Sequence, residues 1–198
     1  MEPVRNYVVI DLEATCCNNN SFRREEMEII EIGAVLVEGS SLQPVRELQT
    51  FVKPVRHPQL TPFCTTLTTI TQADVDGAPG FAEALATLGR FLQETDALFA
   101  SWGAYDRGQF EQDARFHGVP LPLGSRHLNL KKLFAEQLGE RPCGVAGALR
   151  RVGLELLGTH HRGLDDARNI ARLLPWALGR KEAPPRGAGA GRPSETVR

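Results

Sequence analysis

No apolar run in this 198-residue chain approaches the ~20 residues that a membrane-spanning helix needs. The first residues, MEPVRNY, lack the basic start and apolar stretch of a signal peptide, so the chain is expected to stay in the cytoplasm. No internal repeat is present. The four cysteines (Cys16, Cys17, Cys64, Cys143) show no pair with a two-residue gap, which excludes a zinc knuckle or a CxxC redox motif. They read as reduced thiols. A basic excess is also missing, since the net charge is −1. The segment 180–198 carries five cations against Glu182 and Glu195, which leaves +3 there and −4 in the rest. An acidic body is no electrostatic footprint for nucleic acid, so any such partner must be held by local basic residues and bound cations.

Hydrophobic residues make up 41% of the chain, enough for one α/β domain. Residues 5–179 are expected to form that domain. The segment 180–198, rich in Pro, Gly and Arg, is expected to be a disordered tail. Strands are expected at Tyr7–Glu13, across EIIEIGAVLVEG (28–39), across LQTFVKP (48–54) and across ALFASWG (97–103). Residues 58–79 read as irregular with short helical turns. Apolar spacing predicts helices over Phe81–Gln93, Tyr105–His117, Asn129–Leu138, Val145–Val152 and Leu164–Leu178. Strands followed by helix, strand and helices indicate a mixed sheet.

The first strand poses a chemical problem. YVVIDLEAT runs from four core-type residues into Asp11 and Glu13, which share one face at i, i+2. Burying such a charge uncompensated costs several kcal/mol. Two later stretches add acids where helices begin. In SWGAYDRGQF, Asp106 shares a helix face with Phe110, which belongs in the core; Asp113, a turn later, is the alternative. In GTHHRGLDDARNIARLL, Asp166 shares a face with Ile170 and Leu173. Asp165 falls on a face with Asn169 and Arg172, a solvated pattern. His161 lies five residues before Asp166, with His160 as the alternative. Strand ends of open α/β sheets are where clefts form. Like charges 4 Å apart at an effective dielectric near 20 cost about 4 kcal/mol per pair. Divalent cations remove that cost, and an all-oxygen set suits Mg²⁺ or Mn²⁺ rather than zinc. Two such ions form a clamp for displacement at phosphorus, and a nearby histidine suits a general base.

IDLEAT, SWGAYD and HHRGLDDARNIARL, in this order, resemble the three motifs of the DEDDh family of 3′–5′ exonucleases. The chain is most similar to the subgroup of the histone-mRNA exonuclease and the KapD-like proteins, over about residues 5–178. EIIEIGAVLV, FCTTLTTITQADVD and HLNLKKLF also carry the likeness. The resemblance implies an RNase H-like fold, a mixed five-stranded sheet flanked by helices. It implies metal ligation by Asp11, Glu13, Asp106 and Asp166, two ions per site, with catalysis through His161 and Glu13. The implied partners are 3′ ends of single-stranded RNA or DNA, the product is a nucleoside 5′-monophosphate, and no obligate protein partner follows. Ala14, Thr15, Leu67, Thr68, Trp102 and His161 would contact the terminal nucleotide. No accessory domain is expected before Tyr7. A catalytically weak binding module on the same fold is the alternative, and a phosphohydrolase of small esters is a third reading. One departure stands out. The subgroup's Leu-Thr-Gly-Ile is here Leu67-Thr68-Thr69-Ile70, and a β-branched Thr69 is expected to refuse positive φ and alter the loop.

Overall fold

The structure, a computed structural model, describes residues 4–185. Its sheet has five strands: β1 (Asn6–Ala14), β2 (Ile29–Glu38), β3 (Pro44–Phe51), β4 (Ala97–Ser101) and β5 (His127–Asn129). Their spatial order is β3-β2-β1-β4-β5. β1 pairs antiparallel with β2 and parallel with β4, so the sheet is mixed, as the resemblance implies. The helices are α1 (Pro62–Thr68), α2 (Gln72–Asp76), α3 (Phe81–Leu92), α4 (Tyr105–His117), α5 (Leu130–Leu138), α6 (Val145–Arg151) and α7 (Gly163–Ala177). Among the described residues no helix is long and apolar enough to cross a membrane.

The period of two along β1 divides the core. Val8, Ile10 and Leu12 pack with Phe81, Leu85, Leu88, Phe99 and Phe110 under α3 and α4. Tyr7 and Val9 point the other way, among Leu130, Phe134, Leu149, Ile170 and Leu173 of α5, α6 and α7. Fully burying one such side chain contributes about 1.5–3 kcal/mol, so both faces are firmly clad. Asp11 and Glu13 continue the Tyr7–Val9 face. They therefore lie where the apolar layer gives way to the start of α7.

Two glycines permit that approach. Gly33 sits across from Asp11 in the β1–β2 register. A Cβ on Gly33 would lie 2.0 Å from the carbonyl carbon of Gly163. Only bare backbone on β2 lets α7 start beside Asp11, and a side chain at Gly33 would displace Asp166 with the helix.

β3 begins four residues earlier than the sequence suggests and ends at Phe51. Its exposed first half, Pro44–Glu47, has no apolar alternation, and pairing with β2 from Val37 to Glu31 sets its extent. β5, three residues long, is too short to show a period. Beyond α7 the backbone stays close to the domain. The Trp176 indole donates to the Glu182 carbonyl, and Arg151 Nη1 donates to the Pro184 carbonyl. Residues 186–198 of the expected tail lie outside the described residues.

Candidate active site

Three elements bring four carboxylates to one cleft of about 300 Å³. Asp11 and Glu13 come from the end of β1, Asp106 from the first turn of α4, and Asp166 from the first turn of α7. Carboxylate oxygens of Asp11, Glu13 and Asp166 all lie within 4.8 Å of one another. Asp106 accepts from the Leu12 N–H at 3.1 Å, which ties the start of α4 to the strand between the two β1 acids.

The electrostatics follow from burial and crowding. Burial, then repulsion by Asp106, Glu13, Asp166 and Glu31, pushes the Asp11 carboxyl well above its ordinary range. Glu13 is pushed up to about 8, first by burial and then by Asp166, Glu31 and Asp106. Asp106 rises to about 6 through burial, although the Leu12 N–H opposes the rise. Acids this perturbed in a cleft mark a functional site or a cation site. The donors are hard oxygens and, among the described residues, no lysine or arginine lines the cleft. The residues present thus fit divalent cations held by Asp11, Glu13, Asp106 and Asp166.

Both histidines of the HHRG stretch line the cleft. His160 Nδ1 lies 3.0 Å from both oxygens of Asp166. His161 donates its backbone N–H to Asp166 Oδ2 at 2.8 Å, and its ring stacks on His160 with centroids 4.0 Å apart. Its backbone takes φ +63, a left-handed conformation that costs roughly 1–2 kcal/mol for a residue with a Cβ. Burial and the neighbouring His160 hold its ring below the ordinary histidine pKa.

Of the residues expected at the terminal nucleotide, Ala14, Leu67 and Trp102 line the cleft. Trp102 is held by its indole N–H on the Cys143 carbonyl at 2.9 Å and by Phe134. Thr15 and Thr68, expected there too, have hydroxyls engaged by the fold. The Thr15 N–H donates to the Glu28 carbonyl, and its hydroxyl accepts from the Glu28 N–H. The Thr68 hydroxyl donates to the Cys64 carbonyl and accepts from the Ile70 N–H. Both are buried. The expectation for Thr69 is corrected. The residue adopts φ +60 as the C-cap of α1, so the helix ends in a left-handed turn despite the β-branch.

Asp113, the alternative to Asp106, is turned to the fold: it accepts from the Ile29 N–H at 2.7 Å and from Gln109. Asp165 lies outside the cleft, paired with Arg168 and the Thr159 N–H. Asn169, expected in solvent, is fully buried, because the stretch before Gly158 lies across it and exchanges two hydrogen bonds at Leu157. Three basic residues that could contact phosphate meet acids of the chain: Lys132 meets Glu136, Arg151 meets Glu140 and Arg162 meets Glu31. Arg24 lies over the ring of Tyr105, a cleft residue.

Sequence reasoning missed two buried acids, Glu28 and Glu31. The signal was available: both sit in the apolar strand stretch EIIEIGAVLV, where a charge is as anomalous as at Asp11.

The exonuclease family profile (RNase_T) matches residues 8–174. The human "ERI1 exoribonuclease 2" is 33% identical over 195 residues, covering 86% of this chain and 28% of that protein. The bovine "ERI1 exoribonuclease 3" is 30% identical over 178 residues, covering 85% of this chain and 52% of that protein. The chain thus spans about half or less of the length of these curated relatives. The solved nuclease domain of 3′hExo, described as a DEDDh family member bound to rAMP, superposes with a TM-score of 0.83. It is 26% identical, over 90% of this chain and 94% of that one. The fold is RNase H-like, and the chain belongs to the exonuclease family, within its DEDDh class of 3′–5′ exonucleases.

Proposed function

We propose that this chain hydrolyses single-stranded nucleic acid, RNA in preference, from the 3′ end and releases nucleoside 5′-monophosphates. The observation that carries the reading is the meeting of Asp11, Glu13, Asp106 and Asp166 in a cleft that no lysine or arginine among the described residues lines. A pure binder of polyanions gains nothing from that charge. RNA is favoured because the relatives are described as exoribonucleases and a structural neighbour holds rAMP.

Asp11, Glu13, Asp106 and Asp166 would hold two Mg²⁺ or Mn²⁺ ions, which supply charge neutralisation at the phosphate and a lowered pKa for water. His161 acts as the general base. Its depressed pKa keeps the ring neutral near pH 7, able to accept a proton from water. Asp166 fixes the loop that carries the ring through the His161 N–H. Leu67, Trp102 and Ala14 form the wall against which the terminal nucleotide is oriented. Glu13 would take part in catalysis as one of the carboxylates that hold those ions.

The test incubates the purified chain with labelled single-stranded RNA and DNA oligonucleotides and Mn²⁺, beside the Asp11→Ala variant. Stepwise release of mononucleotides that vanishes in the variant is the expected result. Binding without cleavage would point to a nucleic-acid-binding module. Turnover of small phosphate esters alone would point to a different hydrolase.

A further inference from the structure

Glu31 is fully buried, yet the reading above gives it no task. It lies across from Glu13 in the β1–β2 register. Its Oε2 accepts from the Gly163 N–H at 3.0 Å and from Arg162 Nε at 3.2 Å. Its Oε1 accepts from Gln49 Nε2 at 2.5 Å. Three donors from two directions thus hold one carboxylate, which joins β3 through β2 to the residues that lead into α7. The Arg162 guanidinium also rests over the Phe51 ring, 5.4 Å from its centre.

We infer that Glu31 is a positioning residue: it anchors the His160–Gly163 loop so that His161 faces the cleft. The loop has two anchors. Asp166 takes the His161 N–H inside the cleft. Glu31 takes the Gly163 N–H behind it. Between them the backbone is bent into the left-handed conformation at His161, which persists only where neighbours over-determine it. The contact of Gly163 with the bare backbone of Gly33 sets the depth of the loop, and Glu31 sets its direction. The inference rests on His161 being the general base.

Reach and charge can be separated by two small substitutions. Glu31→Asp keeps the charge and shortens the side chain by about 1.5 Å, so the carboxylate no longer spans from Gln49 to Gly163. Glu31→Gln removes the charge and keeps the reach. Its amide oxygen accepts from Gly163 and Arg162, and its NH₂ donates to Gln49 once that amide turns over. An anchor predicts that Glu31→Asp lowers kcat by roughly 10–100-fold with KM little changed, and that Glu31→Gln recovers most of the loss. A role through charge predicts the reverse order and overturns the inference.

A kinetic cycle with His161→Ala completes the test. If Glu31 acts through His161, Glu31→Asp has no further effect on kcat in the His161→Ala background. A slow His161→Ala enzyme that Glu31→Asp slows a further tenfold keeps the base reading and overturns the anchor. A His161→Ala enzyme of undiminished rate overturns both. In the metal-free protein, the NMR signals of the Gly163 amide and the His161 ring should move in Glu31→Asp and stay near their places in Glu31→Gln. Unmoved signals in Glu31→Asp also overturn the anchor.

Discussion

Two sets of acids lie close together in this protein, and they live by opposite rules. Glu28, Glu31 and Asp113 are buried and satisfied. Glu28 alone accepts from the backbone N–H groups of Val55, Arg56 and His57 at 3.0, 2.6 and 3.2 Å. Asp11 and Glu13 sit one strand away, and among the described residues neither accepts a hydrogen bond; burial and mutual repulsion shape them instead. A carboxylate given N–H donors is a structural tie, replacing the water it lost. A carboxylate left without donors beside its own kind is a demand for a cation. Position in the fold decides which: the ties join β2 to loops and helices behind it, and the open group faces the cleft.

Neutralising one member of each set should therefore have opposite consequences. Asp11→Asn should lower nuclease activity by roughly 10³-fold or more while raising the thermal stability of the metal-free protein. Activity assays and melting curves in chelator check both halves, and a metal-free variant less stable than the parent would break the comparison. Within the cleft, His161→Ala should slow hydrolysis by ~10²–10⁴ and His160→Ala by far less. The opposite ranking would hand the base to His160, which lies 3.0 Å from Asp166. Glu28→Ala removes the one acceptor of three backbone N–H groups and should cost about 2–3 kcal/mol, lowering the melting temperature by roughly 5–10 °C. The folded fraction should retain its activity within a few-fold. The smallest effect concerns neither set. Thr69→Gly relieves a left-handed residue that is exposed, and should stabilise the protein by about 1 kcal/mol, read as a rise of ~2–4 °C.

The open set was legible in the sequence and the tied set was not, for a physical reason. Asp11 and Glu13 break a local rule, because a strand of core residues does not end in paired charges without cause. Asp106 and Asp166 announced themselves by sharing helix faces with Phe110 and Ile170. The C-terminal end of α4 at His117 was set by Gly118, a C-cap in the left-handed conformation. Glu28 and Glu31 break the same local rule by sitting in an apolar strand stretch, but their donors come from Val55–His57 and from Arg162–Gly163, far along the chain, so their role as ties could not be read. Asn169 was misread for the same reason. Helix periodicity states which residues share a face, not which loop crosses it. Thr15 and Thr68 were placed by likeness to a motif, and their hydroxyls bond to backbone a few residues away or across the β1–β2 loop. Thr69 shows a limit of steric preference: a surrounding fold can hold a β-branched residue at φ +60 when a helix must stop there.

The pH dependence of the metal-free protein follows from Glu13. Its folded pKa of about 8 lies above its ordinary 4.5, so the folded chain binds more protons than the unfolded one between those values. Stability is then fully present at lower pH and lost as pH rises through that window. Divalent cations should restore it, more at pH 8 than at pH 5.

The measurement closest to the heart of this account is calorimetric titration of the metal-free chain with Mn²⁺ at pH 7, in buffers of differing ionisation enthalpy. Protons held by Asp11 and Glu13 must leave when a cation binds. Release of about one proton per chain, diminishing as the pH rises past about 8 and changed in Asp11→Asn, is the expected result. Binding with no proton released at pH 7, or no binding at all, would contradict it.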